Sequence, residues 1–505
     1  MSNKQFKKIV DYFVNRGMLY YNSENFDLAL ECFKKVSQID SEYAWAYFYA
    51  GQALYKLKRF EESVENFLKA IELDSSESDF YKWLANTYKR NEDYEKAIFN
   101  YKKAFQLNPK DYWTSYEIAD INYILEKYDQ ALINLRKAIM IKPDFPLAYN
   151  KIGAIEYSRS NFEAAIKNFE RAVSLNNQNP DFYYKLGISH FQLGQLDEAE
   201  KNFKNALIFD SKNISSYAYL ANIASRKNEF DAAIKYFKQA ILIYPDSASL
   251  NSSLGKVYLQ KNELPKAIKC FEKAFNLNDK DINLFLILVN LYSRTRKYES
   301  AISLSFRFLE KDSNDSNKLP IYKNLGLIYF EIAKFEEAVE YFNKALELQQ
   351  NDNGIILTLG FLYLEKEEPE KALECFNKLA ENSPDDPNLH IGFACYFTDT
   401  GNFKEAVKSL RNARKLNSEK SALYFYTGYY FLKRKKTDIS VKILTKSALI
   451  NPYSHYTYYY LGQAFLKLGR EREALKSFEK AVSLNKYRKK YKLSLESLGK
   501  PSEII

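Results

Sequence analysis

Between Leu319 and Asp352 apolar and polar residues recur with a helical period that is broken once. Tyr322, Leu325, Gly326 and Tyr329 fall on one stripe, and Phe335, Ala338, Phe342 and Ala345 fall on a second. Each stripe predicts an amphipathic helix with one buried face. Only Glu331-Ile332-Ala333-Lys334 lies between them, which is a tight turn, so the two helices are expected to run antiparallel and in contact. Gly326 and Ala338 carry little bulk where the two backbones approach, and Tyr329 and Phe342 fill the space beside them.

The same pattern returns every 34 residues and gives fourteen copies: residues 10–43, then eight in unbroken steps to Asp315, then five from Leu319 to Arg488. The small residue of the first helix, helix A, is Gly in nine copies and Ala in four, and only Val289 departs. The small residue opening helix B is Ala in twelve copies, with Ser63 and Ser440 as substitutes. This arrangement, W/Y-x2-LG-x2-Y followed by A-x3-F-x2-A, resembles the tetratricopeptide repeat. The resemblance implies an all-α fold, an α-solenoid in the form of a right-handed superhelix of antiparallel helix pairs, with helix A on the concave side. A single pair cannot cover its own apolar face, and stacking the next pair on it does.

The register predicts an N-terminal array at 1–315 whose ninth repeat is degenerate, an insertion at 316–318, a C-terminal array at 319–488, and a basic capping segment at 489–505. In repeat nine Val289 replaces Gly, Ser305 replaces the aromatic and Phe308 replaces Ala. Bulk at the close approach and a polar group at the filler position predict looser or re-angled packing, with a change of curvature or a hinge near residues 305–320. At the C-terminus Tyr491, Leu493, Leu495 and Leu498 among basic residues predict a capping helix.

Composition adds a surplus of aromatics, 42 Tyr and 36 Phe, beyond what the repeat core requires. No run of about 18 apolar residues occurs, so no membrane span is expected. The N-terminus shows no secretory signal pattern, and four cysteines agree with a reducing compartment, so a cytoplasmic location is expected. Cys32, Cys270 and Cys375 share one register position, which points to a shared packing role, and no Cys-x2-Cys or Cys/His cluster suggests a metal.

Catalytic chemistry finds no constellation. His190 and His390 sit at aromatic core positions, His455 opens the last repeat, and no phosphate-binding glycine motif occurs. The sequence therefore predicts a non-enzymatic protein without a cofactor. In the family the concave surface is lined by positions 2, 5, 9 and 12 of helix A, and this chain fills them unevenly. Partner-binding candidates in repeats one to six are Tyr21, Trp45, Phe48, Tyr55, Trp113, Tyr116, Tyr123, Tyr157, Tyr184 and Phe191. Repeats seven to nine carry polar residues there, and aromatics return near the C-terminus with Phe425, Tyr429, Tyr456 and Tyr459. Such rings either form a binding groove or pack between neighbouring A helices. The resemblance also raises the carboxylate clamp of chaperone-binding members. Lys82 and Asn86 match it, but Glu117 and Leu147 stand where Asn and a basic residue belong.

Charge is unevenly placed. Residues 401–505 hold 23 Lys plus Arg against 8 Asp plus Glu, while the whole chain has a net charge of +10. The clusters Lys433, Arg434, Lys435, Lys436 and Arg488, Lys489, Lys490 lie among tyrosines, a pattern suited to an acidic partner, a polyanion or single-stranded nucleic acid. Three readings follow. The first is a scaffold that binds extended peptides or helices of one or more partner proteins in its groove. The second is nucleic-acid or polyanion binding through the basic C-terminal repeats, and the third is a targeting or regulatory subunit of a separately encoded enzyme.

Overall fold

A computed structural model describes residues 3–311 and 315–499. Among them the regular structure is 29 α-helices, packed as consecutive antiparallel pairs. Two units divide the chain: Met1–Pro245, which holds the first fourteen helices, and Asp246–Ile505, which holds the remaining fifteen.

Each pair is built as the stripe pattern requires. In the pair α19 (Asp315–Glu331) and α20 (Phe335–Leu348), a Cβ added at Gly326 would lie 2.6 Å from the Phe342 ring. That ring is 1% exposed, so the space denied to residue 326 is filled by the aromatic of helix B. The same meeting of a helix A glycine with a helix B ring recurs in both units, as at Gly51 with Phe67 and Gly462 with Phe478.

The turn inside each pair supplies an independent ruler. One residue per turn has a left-handed backbone, from Glu24, Lys58 and Glu92 to Gly469, in steps of 34 except for 37 between Arg296 and Ala333. Most of these residues are not glycine. In the turn of the tenth repeat, Lys334 N–H reaches Tyr329 O at 2.9 Å and Ala333 N–H reaches Phe330 O at 3.2 Å, closing the end of α19 as a Schellman motif. Ala333 holds φ at +61° with no side-chain function to offset the strain. Ala333→Gly is therefore expected to stabilise the C-terminal unit by about 1 kcal/mol. A urea midpoint that failed to rise would show that the left-handed site costs nothing here.

The three inserted residues do not form a loop. Ser316, Asn317 and Lys318 lie within α19, which runs for 17 residues and carries Pro320 inside it. Residues 312–314, inside the stretch expected to bend, lie outside the described residues. In repeat nine, α17 (Ile282–Arg294) buries Val289 completely, and α18 (Tyr298–Lys311) buries Ser305 completely, with the Ser305 hydroxyl donating to Ala301 O at 2.8 Å. Valine at the glycine position thus goes with serine at the ring position. Phe308 fills elsewhere, with its ring 4.8 Å from Phe285 and 6.1 Å from Phe275. At the other end α29 (Lys489–Glu496) lays Tyr491 and Leu495, both fully buried, against α28 (Glu471–Leu484) through Phe478 and Val482.

Candidate functional site

In the N-terminal unit the rings expected on the inner surface are mostly engaged between repeats. Trp45 meets Phe80 of the next A helix edge-on at 5.0 Å, Tyr55 meets Trp83 at 5.5 Å, and Tyr116 meets Phe145 at 5.3 Å. Tyr184 and Phe191 both meet Tyr219, at 6.1 and 5.1 Å. Tyr21, Tyr123 and Tyr157 lean on the first ring of their own helix B, respectively Phe26, Tyr128 and Phe162. Phe48 is buried at 3% exposure, whereas Trp113 is 39% exposed.

Beside these rings runs a charge ladder along three consecutive A helices. Lys89 Nζ lies 2.6 Å from both Glu117 and Asp120, Lys151 Nζ lies 2.6 Å from Asp120, and Lys82 Nζ lies 3.3 Å from Asp111. Asn86 accepts a hydrogen bond from the Tyr101 hydroxyl. Lys82 and Asn86, the residues that match a carboxylate clamp, are thus engaged internally, as is Lys151. Burial alone would raise the Asp120 carboxyl, but its bonds to Lys151 and Lys89 outweigh that and hold it below the usual aspartate range. A depressed folded value gives stability that is present above the unfolded value and lost as pH falls through the folded one. The N-terminal unit is therefore expected to lose this contribution as pH drops below about 4. Tryptophan-monitored urea midpoints should fall more steeply with acid in the wild type than in Asp120→Asn.

The C-terminal unit forms a different inner surface. Helices α21 (Asn353–Glu365), α23 (Pro387–Asp399), α25 (Lys420–Lys433) and α27 (His455–Lys467), together with the ends of α19 and α29, line a cavity of about 700 Å³. Its walls are rings: Phe361 stacks on Tyr426 at 5.8 Å, and Tyr460 meets Tyr429 at 4.7 Å and Phe425 at 5.8 Å. Direct packing of α23 on both α21 and α25 brings the inner helices together. Gly392 lets α23 sit close on α22 (Pro369–Asn382), since a Cβ there would lie 2.5 Å from the Phe376 ring.

The charges in the wall are matched to one another. Asp399 accepts from the Tyr429 hydroxyl and from Lys433 Nζ at 3.0 Å, and Cys395 Sγ lies 3.8 Å from its other oxygen. Burial, reinforced by Asp399, pushes the Cys395 thiol well above its ordinary value, so it stays protonated and is a poor nucleophile. Burial likewise pushes up the phenols of Tyr426, Tyr456 and Tyr460, so the cavity presents neutral hydroxyls among rings. Such a wall is chemically suited to stacking and neutral hydrogen bonds. Among the described residues no group of His, Cys, Asp and Glu side chains is placed to hold a metal.

Of the expected C-terminal groove residues, Tyr429 and Tyr456 line this cavity, whereas Tyr459 stacks on Tyr491 at 4.6 Å and belongs to the cap. The basic candidates divide similarly. Lys433, Arg434, Lys435, Lys436 and Lys489 are exposed, and Lys490 pairs with Glu365 at 2.7 Å. Arg488, at 2% exposure, is held inside the protein. Its guanidinium lies 4.9, 5.1 and 5.4 Å from the rings of Phe330, Phe335 and Tyr456, and donates to Phe330 O at 3.0 Å and to the Tyr456 hydroxyl at 2.8 Å. Outside the cavity, Phe403, Lys404, Lys408, Arg411, Tyr430 and Arg434 line a second, shallower groove of about 580 Å³.

Sequence reasoning missed Phe361, Cys395 and the carboxylates of Glu331, Glu365 and Asp399, yet a signal for these three exists. Glu331, Glu365 and Asp399 are the last residues of three successive A helices, spaced by 34, and the next two helices end in Lys433 and Lys467. Acidic residues at helix C-termini oppose the helix dipole, so a column of them calls for cations. Burial works against the Glu331 carboxylate, but a bond from His455 and the charges of Arg488 and Arg296 hold it below the usual glutamate range.

Consecutive antiparallel helix pairs on a 34-residue register define an α-helical repeat protein. Models described as TPR repeat match residues 17–58, 51–92 and 153–194. Others described as tetratricopeptide repeat match 78–111 and 320–352, 225–288, 180–213 and 455–487, and 114–145 and 355–386. The chain belongs to the tetratricopeptide repeat family, whose repeats typically serve as protein–protein interaction modules. No curated protein matches it. Among solved structures it is similar to MamA, at 23% identity over 32% of this chain and 94% of that one, with a TM-score of 0.31. It is also similar to YrrB, described as a TPR protein with an unusual peptide-binding site, at 20% identity over 39% and 97%, TM-score 0.34. A third is the C-terminal part of a TPR repeat-containing protein from Cytophaga hutchinsonii, at 18% identity over 47% and 97%, TM-score 0.42. Among the described residues no helix is long and apolar enough to cross a membrane.

Proposed function

We propose that this protein is a non-enzymatic scaffold that holds segments of partner proteins on the inner surface of its repeats, with the aromatic cavity of the C-terminal unit as the principal site. The observation that carries this reading is the wall of that cavity, where rings of the A helices α19, α21, α25 and α27 face one space and Tyr426 and Tyr460 border it. A volume near 700 Å³ takes a few side chains of an extended segment rather than a folded domain. The test compares proteins retained by the wild-type chain and by Tyr426→Ala/Tyr460→Ala, with helicity checked by circular dichroism. The partner is expected to be lost from the folded variant, and an unchanged retained set would overturn the assignment.

One observation favours a second reading, polyanion binding on the outer face. Lys404, Lys408 and Arg411 follow one another on a single face of α24 (Phe403–Lys415), and Arg434 lies over the Phe403 ring at 5.7 Å to complete the shallow groove. Salt-dependent binding of heparin or single-stranded RNA, abolished by Lys404→Ala/Lys408→Ala/Arg411→Ala, is expected under this reading. Absence of such binding removes it.

A further inference from the structure

One contact in the C-terminal unit lies outside the repeat scheme. Successive pairs pack through Phe, Leu and Ala, but the end of the last repeat also touches repeats nine to eleven, more than 120 residues earlier. Asn485 Nδ2 donates to Glu331 O at 2.9 Å, Arg488 and Lys490 share Glu365 at 3.4 and 2.7 Å, Arg296 donates to Ser483 O, and Tyr298 meets Tyr487 edge-on at 5.5 Å. His455 faces Glu331 at 3.7 Å.

We propose that residues Asn485 to Lys490 form a releasable clasp that closes the C-terminal repeats around the aromatic cavity and must open for a partner segment to enter. What enters rests on the scaffold reading above; whether the clasp opens does not. Three observations support it. First, the contact rests on hydrogen bonds, ion pairs and the guanidinium of Arg488 against ring faces, and not on the Phe, Leu and Ala packing that joins neighbouring repeats. Contacts outside that packing open at the low end of a protein's stability range. Second, it is under-satisfied: the Nε of Arg488 is buried without a hydrogen-bond partner, and one carboxylate serves two cations. Third, Phe330, Glu365, Tyr456 and Lys490 belong to both the clasp and the cavity wall, so releasing one removes part of the other.

The link between α24 and α25, the helix that supplies Phe425, Tyr426 and Tyr429 to the cavity wall, carries a candidate joint. Regular B helices span 14 residues and end with an extended residue, as α28 does at Asn485. Helix α24 spans 13 and is followed by Asn417 in the left-handed region at φ +57°. This is the one link of its kind among the described connections between successive pairs.

Cys395 lines the cavity and reports its opening. In the full chain, alkylation by N-ethylmaleimide is followed residue by residue with mass spectrometry, in wild type, Arg488→Ala and the exposed-charge control Arg472→Ala. The Cys395 rate is expected to rise about tenfold or more in Arg488→Ala, since every increment in the open population is read directly. It should stay at the wild-type value in Arg472→Ala. Cys375, in the same unit but outside the cavity lining, should not change. An unchanged Cys395 rate, or a rise shared equally by Cys375, overturns the clasp. Should Arg488→Ala lose helicity, hydrogen exchange of the wild type decides: the amides of 485–490 are expected to exchange ahead of those of α28, and exchange in step with α28 overturns the proposal. No partner is present in either assay, so a clasp that opens while the cavity variants keep their partner faults the scaffold site and not the clasp.

Discussion

Phe376→Ala is expected to destabilise the C-terminal unit by about 4 kcal/mol, the upper part of the range for a buried ring. The ring has no solvent exposure and is gripped from two sides by helices that carry glycine where they face it. A Cβ at Gly392 would sit 2.5 Å from it, and one at Gly360 would overlap it as well. Phe361 and Phe393 stand at 5.7 and 5.9 Å and are fixed by their own neighbours. Two glycine faces offer no side chain that could swing into the vacancy, so the cavity stays open and its full cost is felt. The readout separates by unit, because Trp45, Trp83 and Trp113 all lie in repeats two to four and report the N-terminal unit alone. Urea unfolding followed by circular dichroism should gain an early transition, while the tryptophan transition stays in place. A common shift of both signals would contradict nearest-neighbour stabilisation.

The second large effect concerns the degenerate repeat. Ser305→Phe alone is expected to cost about 3 kcal/mol, because the restored ring meets Val289 instead of glycine. Val289→Gly alone should cost a similar amount, about 3 kcal/mol, from lost burial and from glycine inside a helix. The double variant rebuilds the Gly and Phe pair seen throughout the chain, so the two losses should cancel in large part. A coupling of about 2 kcal/mol or more in the rescuing direction is predicted for the cycle. Additive losses would show that residues 289 and 305 do not share one packing site.

The sequence reading and the structure part company according to the range of the interactions involved. Helix pairs, close-approach glycines and the ninth-repeat departures were legible because each is decided within one 34-residue window and repeated down the chain. The three inserted residues were located, but not their helical state, since the 34-residue register says nothing of residues that fall outside it. Ring orientation was not legible. Tyr and Phe serve equally between repeats and in a cavity, and Tyr459 and Tyr460, adjacent in sequence, do one each. Some tyrosines make cross-repeat hydrogen bonds that Phe could not make, such as Arg90 to Tyr55 at 3.1 Å and Gln192 to Tyr157 at 3.2 Å. Counting charge by segment gave a basic C-terminus suited to an acidic partner, a polyanion or single-stranded nucleic acid. Reading charge by register, with acidic residues closing three successive A helices, points instead to carboxylates that part of that basic end neutralises.

The central claim, that the inner surface of the C-terminal unit is the partner site, is tested most directly by site-specific photocrosslinking of the full chain. One version carries a benzophenone side chain at position 460, in the cavity wall, and the other carries it at position 242, where Leu242 is 75% exposed. Covalent capture of the partner from position 460 and not from position 242 is the predicted result. Capture from position 242 with none from position 460 would contradict it.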